Sequence, residues 1–443
     1  MTGFVDLAAV LLAAAAALAF LNYRFAKLPP AIAMLVAGLL GGVAIVASDR
    51  LWPQLAIAAR VGQVVGGVDF STLLMKGMLG FLLFAGSLTV DYQELREHLR
   101  TVLTLATVGV LLSTALVGAG AYALFALAGI PVPLVYCLVF GALISPTDPV
   151  AVLALMEHLR VPRSFLVIFT GESLVNDGVG VVLFTALLAV AIAPGSMSPA
   201  AVSLLLVREA VGGSLLGLAG GLVVYWAAKE IDEPHLEVQL SVALVTGLIA
   251  LAPHLHVSGP LACVVAGIFI GNRARRHAMG DSTAEALDRI WSFADYVMNA
   301  VLFLLLGLQT ATFRIGSPAH AAMALGMIAL VLGARFVSVA LPLAVVRRRG
   351  DASRSMAPLL TWGGLRGGIS VALALSLPQF EGRDAVLNAT YAVVVFAIVV
   401  QGSTVGRLAR RLAPQAGPIV SGADARRGST APPRRRSGTG ARR

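Results

Sequence analysis

The sequence predicts an all-α protein that crosses a membrane many times, with inverted repeats and two interrupted helices. Three observations carry this. Hydrophobic residues make up 58% of the 443-residue chain and charged residues only 13%, whereas soluble domains carry roughly 25% charged residues. Apolar runs of about 18 residues or more recur along nearly the whole length, which is the signature of membrane spans. Two of these runs are broken by prolines or glycines beside a charge, at Ser145-Pro146-Thr147-Asp148-Pro149 and at Trp362-Gly363-Gly364-Leu365-Arg366-Gly367-Gly368.

Taken in order, the apolar periodicity gives thirteen helices, at about 5–23, 29–47, 70–89, 101–128, 133–156, 164–193, 202–228, 237–252, 257–271, 290–312, 319–346, 357–378 and 387–407. The first has no basic stretch before it, so it reads as a retained span rather than a cleaved signal. The ninth is short. From 412 to 443 the chain turns to Arg, Pro, Ser, Gly and Ala, a composition that cannot form a core and is expected to be a disordered basic tail. Cys137 and Cys263 both lie in apolar segments, so neither a disulfide framework nor a thiolate metal site is indicated.

Loop charge orients the bundle. One set of alternate loops holds fifteen basic residues, among them Arg24, Lys27, Arg96, Arg100, Arg160, Arg273, Arg276 and Arg347–Arg349; the other holds five, Arg50, Arg60, Arg208, Arg314 and Arg383. Ten more lie from Arg407 onward. Positive loops stay cytoplasmic, so the C-terminus is expected inside and, with an odd number of helices, the N-terminus outside. Beside a bilayer the net charge of +10 reads as a lipid-facing cytoplasmic end rather than a nucleic-acid surface.

A charge inside a span costs roughly 2.5–3.5 kcal/mol on insertion scales and is a functional candidate by default. The deep charges are Asp148, Glu172, Asp177, Arg335 and Arg366; Lys76 sits near an outer helix end, where it can snorkel. In the fifth helix the two prolines around Asp148 remove amide donors and unwind the backbone. Freed carbonyls at membrane depth must line a cavity or find polar partners. A simple kink would not require the aspartate. The sixth helix carries Glu172, Ser173, Asn176 and Asp177. At about 100° per residue Ser173 and Asp177 share a face, while Glu172 lies some 140° from Asp177. Ser173 and Asp177 are therefore expected to face the ion path. Glu172 is expected to face another helix and to need a cation, Arg335 or Arg366 being those available.

The twelfth helix is interrupted by four glycines around Arg366. It follows no strand and lacks phosphate-loop spacing; its small-residue pairs permit close helix contact, and Arg366 can offset exposed carbonyl dipoles. The two breaks fall in helices five and twelve. Helices 1–6 and 8–13 match as two sixes about the seventh, an odd separation that makes the repeats inverted, and paired breaks in inverted halves point to a transport site near the midplane.

Together "ISPTDPVAV", "GESLVNDGVGVVLF", "GARFVSV" and "TWGGLRGGISVALALSLP" resemble the monovalent cation:proton antiporters, in the bacterial sodium/proton exchanger branch. The resemblance covers about 90% of the chain. It implies a transmembrane antiporter domain over 1–411, with core helices at about 101–193 and 319–407, the remainder forming a dimerisation scaffold, and alternating access by movement of the core. It implies a homodimer in the bacterial inner membrane that exchanges Na+, with Li+ and K+ as further substrates, for H+, serving pH and sodium homeostasis. It makes Asp177 the principal carrier, with Asp148, Thr147 and Ser173 as further Na+ ligands, Asn176 the mark of the electroneutral branch, and Glu172–Arg335 an ion pair that leaves Arg366 to the broken helix. Ala85 stands where relatives carry an acid, which bears on the choice between Na+ and K+. The protein is expected to be a secondary transporter, not an enzyme, with no cofactor and no nucleic-acid partner. A proton-translocating redox subunit would need buried lysines, and the deep bases here are arginines, which hold their protons; a channel would show a ring or filter. His254 and His256 are expected in a solvated outer loop. Asp232, Glu233 and Glu237 are expected at a helix start, either solvated or drawing cations inward.

Overall fold

Helix after helix follows the apolar runs; of the span expected at 133–156, the first half is α6, and much of the second half lies outside the described residues. The computed structural model describes residues 4–412 except 52–53, 55–71, 150–151, 154–155, 157–158, 160, 194, 196–197, 232, 276–277, 311–317 and 347–350. The helices are α1 (Phe4–Leu21), α2 (Pro30–Leu51), α3 (Leu79–Leu88), α4 (Tyr92–Thr104), α5 (Val110–Leu127), α6 (Leu134–Ile144), α7 (Arg163–Ile192), α8 (Pro199–Lys229), α9 (Pro234–Leu255), α10 (Gly259–Phe269), α11 (Asp281–Thr310), α12 (Pro318–Val346), α13 (Asp351–Gly363), α14 (Gly368–Leu375), α15 (Arg383–Phe396) and α16 (Gly402–Leu412). Wider π-helical turns carry α4 into α5 and α15 into α16 as continuous rods. Among the described residues, eight helices are long and apolar enough to cross a membrane and four apolar helices are shorter. The span expected at 357–378, the twelfth in chain order, is the interrupted pair α13–α14. The protein is a multi-pass membrane protein.

Local sequence sets several boundaries. Asp91 caps α4 by accepting from the amides of Gln93 (2.7 Å) and Glu94 (3.3 Å). Ser198 and Ser258 cap α8 and α10, each ahead of a proline in the first turn, where its missing amide costs nothing. His254 lies in the last turn of α9, and His256 closes that helix in a left-handed conformation at φ 53°.

The two breaks meet. The Asp148 amide donates to the Leu365 carbonyl at 2.8 Å, an isolated antiparallel bridge and the point where the interrupted segments cross. A large apolar cluster surrounds this point, with Phe140, Phe169, Leu360, Leu365 and Val371 fully or almost fully buried. A second apolar cluster lies apart on α3 and α8–α11. In it the Phe84 and Trp291 rings pack at 4.7 Å, and Trp291 Nε1 donates to Ser241 Oγ at 2.9 Å. Both cysteines are buried thiols.

One expectation is overturned. Glu237 is fully buried rather than solvated, and its Oε1 accepts from Thr283 Oγ1 at 3.1 Å. The start of α11 covers the start of α9 there, and the turn sequence of α9 alone does not reveal it. Glu233 does sit at the helix start, capping the amide of Leu236. Asp232, the side chain of Lys76, the loop residues Arg60, Arg160, Arg276, Arg314 and Arg347–Arg349, and the tail from 413 lie outside the described residues.

Candidate cation site at the crossed breaks

The broken α6 segment needs partners for the carbonyls its prolines release. Arg366 supplies them. It is 2% exposed, and its Nη1 donates to the carbonyl of Pro146 at 2.8 Å and also to that of Ser145. Ser145 Oγ closes the last turn of α6 by donating to the Gly141 carbonyl at 2.6 Å and lies 2.8 Å from Ser113 Oγ. The guanidinium of one break thus stabilises the open backbone of the other.

Glu172 and Arg335 form a two-pronged ion pair. Arg335 Nη1 donates to Oε1 at 2.9 Å and Nη2 to Oε2 at 2.8 Å, with both side chains buried. Arg335 Nη2 also reaches the Leu360 carbonyl at 3.5 Å. Such forked geometry is among the strongest charge-assisted arrangements.

Asn176 straps this pair to the break. Its Nδ2 donates to Glu172 Oε1 at 2.7 Å and to Thr147 Oγ1 at 2.8 Å, and its Oδ1 accepts from the Thr147 amide at 3.3 Å. Thr147 Oγ1 in turn shares a hydrogen bond with Ser173 Oγ at 3.1 Å. Arg335, Glu172, Asn176, Thr147 and Ser173 are therefore one connected chain. The wheel angle separates Glu172 from Asp177, but in the folded protein the charges of Asp148, Glu172 and Arg366 all act on Asp177. Among the described residues Asp177 itself stands outside the hydrogen-bonded chain that holds Glu172.

Asp177 is different in kind. It is 6% exposed, and among the described residues its carboxylate makes no hydrogen bond or ion pair. Asp148 is half-buried and packs over Gly367. A Cβ on Gly367 would stand 2.8 Å from Asp148 Cβ and 3.0 Å from its Cγ, so only glycine leaves room for this carboxylate. Ala85 is buried in the separate apolar cluster of α3 and α8–α11. Asp295, midway along α11, is a deep charge that the sequence reading passes over, since it falls within a turn and a half of the helix start expected at 290. The Asp148 charge acts on it. The signal available was an acid followed four residues later by Asn299 inside an apolar run. No group of three or more His, Cys, Asp or Glu able to hold a metal ion occurs among the described residues.

Two interrupted helices that cross inside a multi-span bundle, with buried carboxylates at the crossing, define a secondary transporter. The family is shown by comparison. The transmembrane sodium/hydrogen exchanger family model matches residues 10–411, and the chain belongs to that family. It is 41% identical over 412 residues to the Na(+)/H(+) antiporter NhaP of Pseudomonas aeruginosa, covering 92% of this chain and 96% of that protein. It is 33% identical over 393 residues to the Na(+)/H(+) antiporter NhaH of Halobacillus dabanensis, covering 88% and 93%. The solved structure of the sodium proton antiporter MjNhaP1 from Methanocaldococcus jannaschii shares the fold, with a TM-score of 0.71 at 19% identity over 92% of this chain and 98% of that one.

Proposed function

We propose that the protein exchanges Na+ for H+ across the bacterial inner membrane by alternating access, with Asp177 as the carrier shared by the two ions. The observation that carries this reading is the contrast among the buried charges. Glu172 has its arginine and Arg366 has its carbonyls, while among the described residues Asp177 makes neither a hydrogen bond nor an ion pair beside the crossed breaks. A carboxylate held so accepts either a proton or a dehydrated hard cation. Asp148 supplies the second carboxylate. Ser173 Oγ and the Thr147 carbonyl supply the further oxygens, and Asn176 holds Thr147 in place. Competition for one carboxylate suffices to couple two opposed fluxes.

The relatives named as Na(+)/H(+) antiporters support Na+ as the ion. Li+ and K+ are further candidates, K+ because Ala85 removes an acid. The separate apolar cluster on α3 and α8–α11 fits a scaffold on which two copies associate as a homodimer, with α4–α7 and α12–α16 as the moving core. Loop charge supports an outside N-terminus, a cytoplasmic C-terminus and a cytoplasmic tail. The deciding experiment is ΔpH dissipation in everted vesicles on addition of Na+, Li+ and K+ in turn. Wild type responds to Na+, and Asp177→Asn abolishes the response. Substantial exchange surviving in that variant would remove Asp177 from the carrier role.

A further inference from the structure

Asp295 lies near the middle of α11 (Asp281–Thr310), a helix whose apolar length suits it to span the membrane. It caps no helix end. Its carboxylate accepts from Asn299 Nδ2 at 3.0 Å, one turn further on, and among the described residues it forms no ion pair. A charged group at such depth is costly and is retained where it serves a pathway.

The helix wheel says what that carboxylate faces. At about 100° per residue, Asp295, Asn299 and Leu302 fall on one stripe of α11 within roughly 60°. Leu302 lies directly over Gly368, the first residue of α14 after the second break; a Cβ on Gly368 would stand 2.7 Å from Leu302 Cγ. The stripe therefore presents itself to the crossing. Asp295 stands two turns back along it, and the charge of Asp148, the half-buried carboxylate on the opposite break, acts on it. Asn299 is 8% exposed and fixes the acid, while Asp295 itself keeps part of its surface open.

We propose that Asp295, braced by Asn299, is a first station for the cation: an oxygen ligand on the non-crossing helix that collects a partly hydrated monovalent cation and passes it to Asp148 and Asp177. This rests on the reading of Asp177 as carrier. A station ahead of the carrier raises the local cation concentration at the site without taking part in the exchange itself, so its loss appears in KM more than in maximal rate.

The test is Na+-dependent exchange by the full-length protein in proteoliposomes, with Asp295→Asn, Asp295→Glu and Asp177→Asn side by side. Asp295→Asn is expected to raise the KM for Na+ roughly five- to tenfold with a smaller loss of maximal rate, in line with the loss of one nearby charge at intermediate dielectric, and Asp295→Glu to restore the KM. If Asp177→Asn is inactive and Asp295→Asn keeps the wild-type KM, or loses maximal rate alone, the station is refuted while the carrier stands. If Asp177→Asn remains active, the carrier reading fails and the station fails with it.

Discussion

Removing one member of the Glu172–Arg335 pair should harm the protein far more than removing both in proportion. Arg335 reaches the two carboxylate oxygens at 2.9 and 2.8 Å, and the side chains are 4% and 0% exposed. Glu172→Gln strands a guanidinium whose remaining protein acceptor is the Leu360 carbonyl at 3.5 Å beside a neutral amide. Arg335→Met strands a carboxylate whose remaining donor is Asn176 Nδ2. Each single variant leaves an uncompensated buried charge, which costs about 3–5 kcal/mol. If the two losses were independent, the double variant would lose about 6–10 kcal/mol. It strands no charge, so it should lose several kcal/mol less than that sum. The assay is a double-mutant cycle on SDS-induced unfolding of the purified protein in micelles. Losses that add to within about 0.5 kcal/mol would show the two residues to be energetically independent and would refute the pairing as the source of stability.

Gly367→Ala should place a methyl group where the Asp148 carboxylate lies, lowering Na+/H+ exchange at least tenfold with a smaller effect on unfolding; wild-type exchange in that variant would show that Asp148 is not confined as described. Asn176→Asp should lower both stability and exchange rather than simply change the charge carried. It deletes the donors to Glu172 and Thr147 and sets a second carboxylate against Glu172, where the present bond is 2.7 Å. A well-folded, active Asn176→Asp protein in flux and unfolding measurements would refute the strap. The carrier test at Asp177 and the Na+ KM test at Asp295 complete the set.

Most of the fold was legible because a bilayer leaves few choices. Spanning segments must satisfy their own backbone, so apolar runs become helices, and prolines around Asp148 with glycines around Arg366 mark where that rule is relaxed. Composition also narrowed the partner of Glu172 to two arginines. What was hidden was tertiary. No local pattern tells that Asn176 reaches Thr147 in the break after α6 and ties it to Glu172. Glu237 reads as a solvated helix start because its cover, Thr283, is 46 residues away in sequence. Asp295 hid near an expected boundary that the folded helix extends by several residues, from 290 back to Asp281.

The distribution of charge at the crossing explains why exchange should be obligatory. Arg335 is committed to Glu172, and Arg366 to the carbonyls that the prolines expose. Neither forms an ion pair with Asp177, on which the charges of Asp148, Glu172 and Arg366 all act. With neither ion bound, the moving core would have to carry these carboxylates through a dry barrier, and desolvation makes that expensive. On the proposed mechanism, binding a proton or a cation removes the penalty, so the loaded forms cross and the unloaded form does not. The two arginines therefore serve exchange indirectly. By engaging Glu172 and the opened backbone, they leave Asp177 without an ion pair among the described residues, and on the proposed mechanism its neutralisation comes from a transported ion.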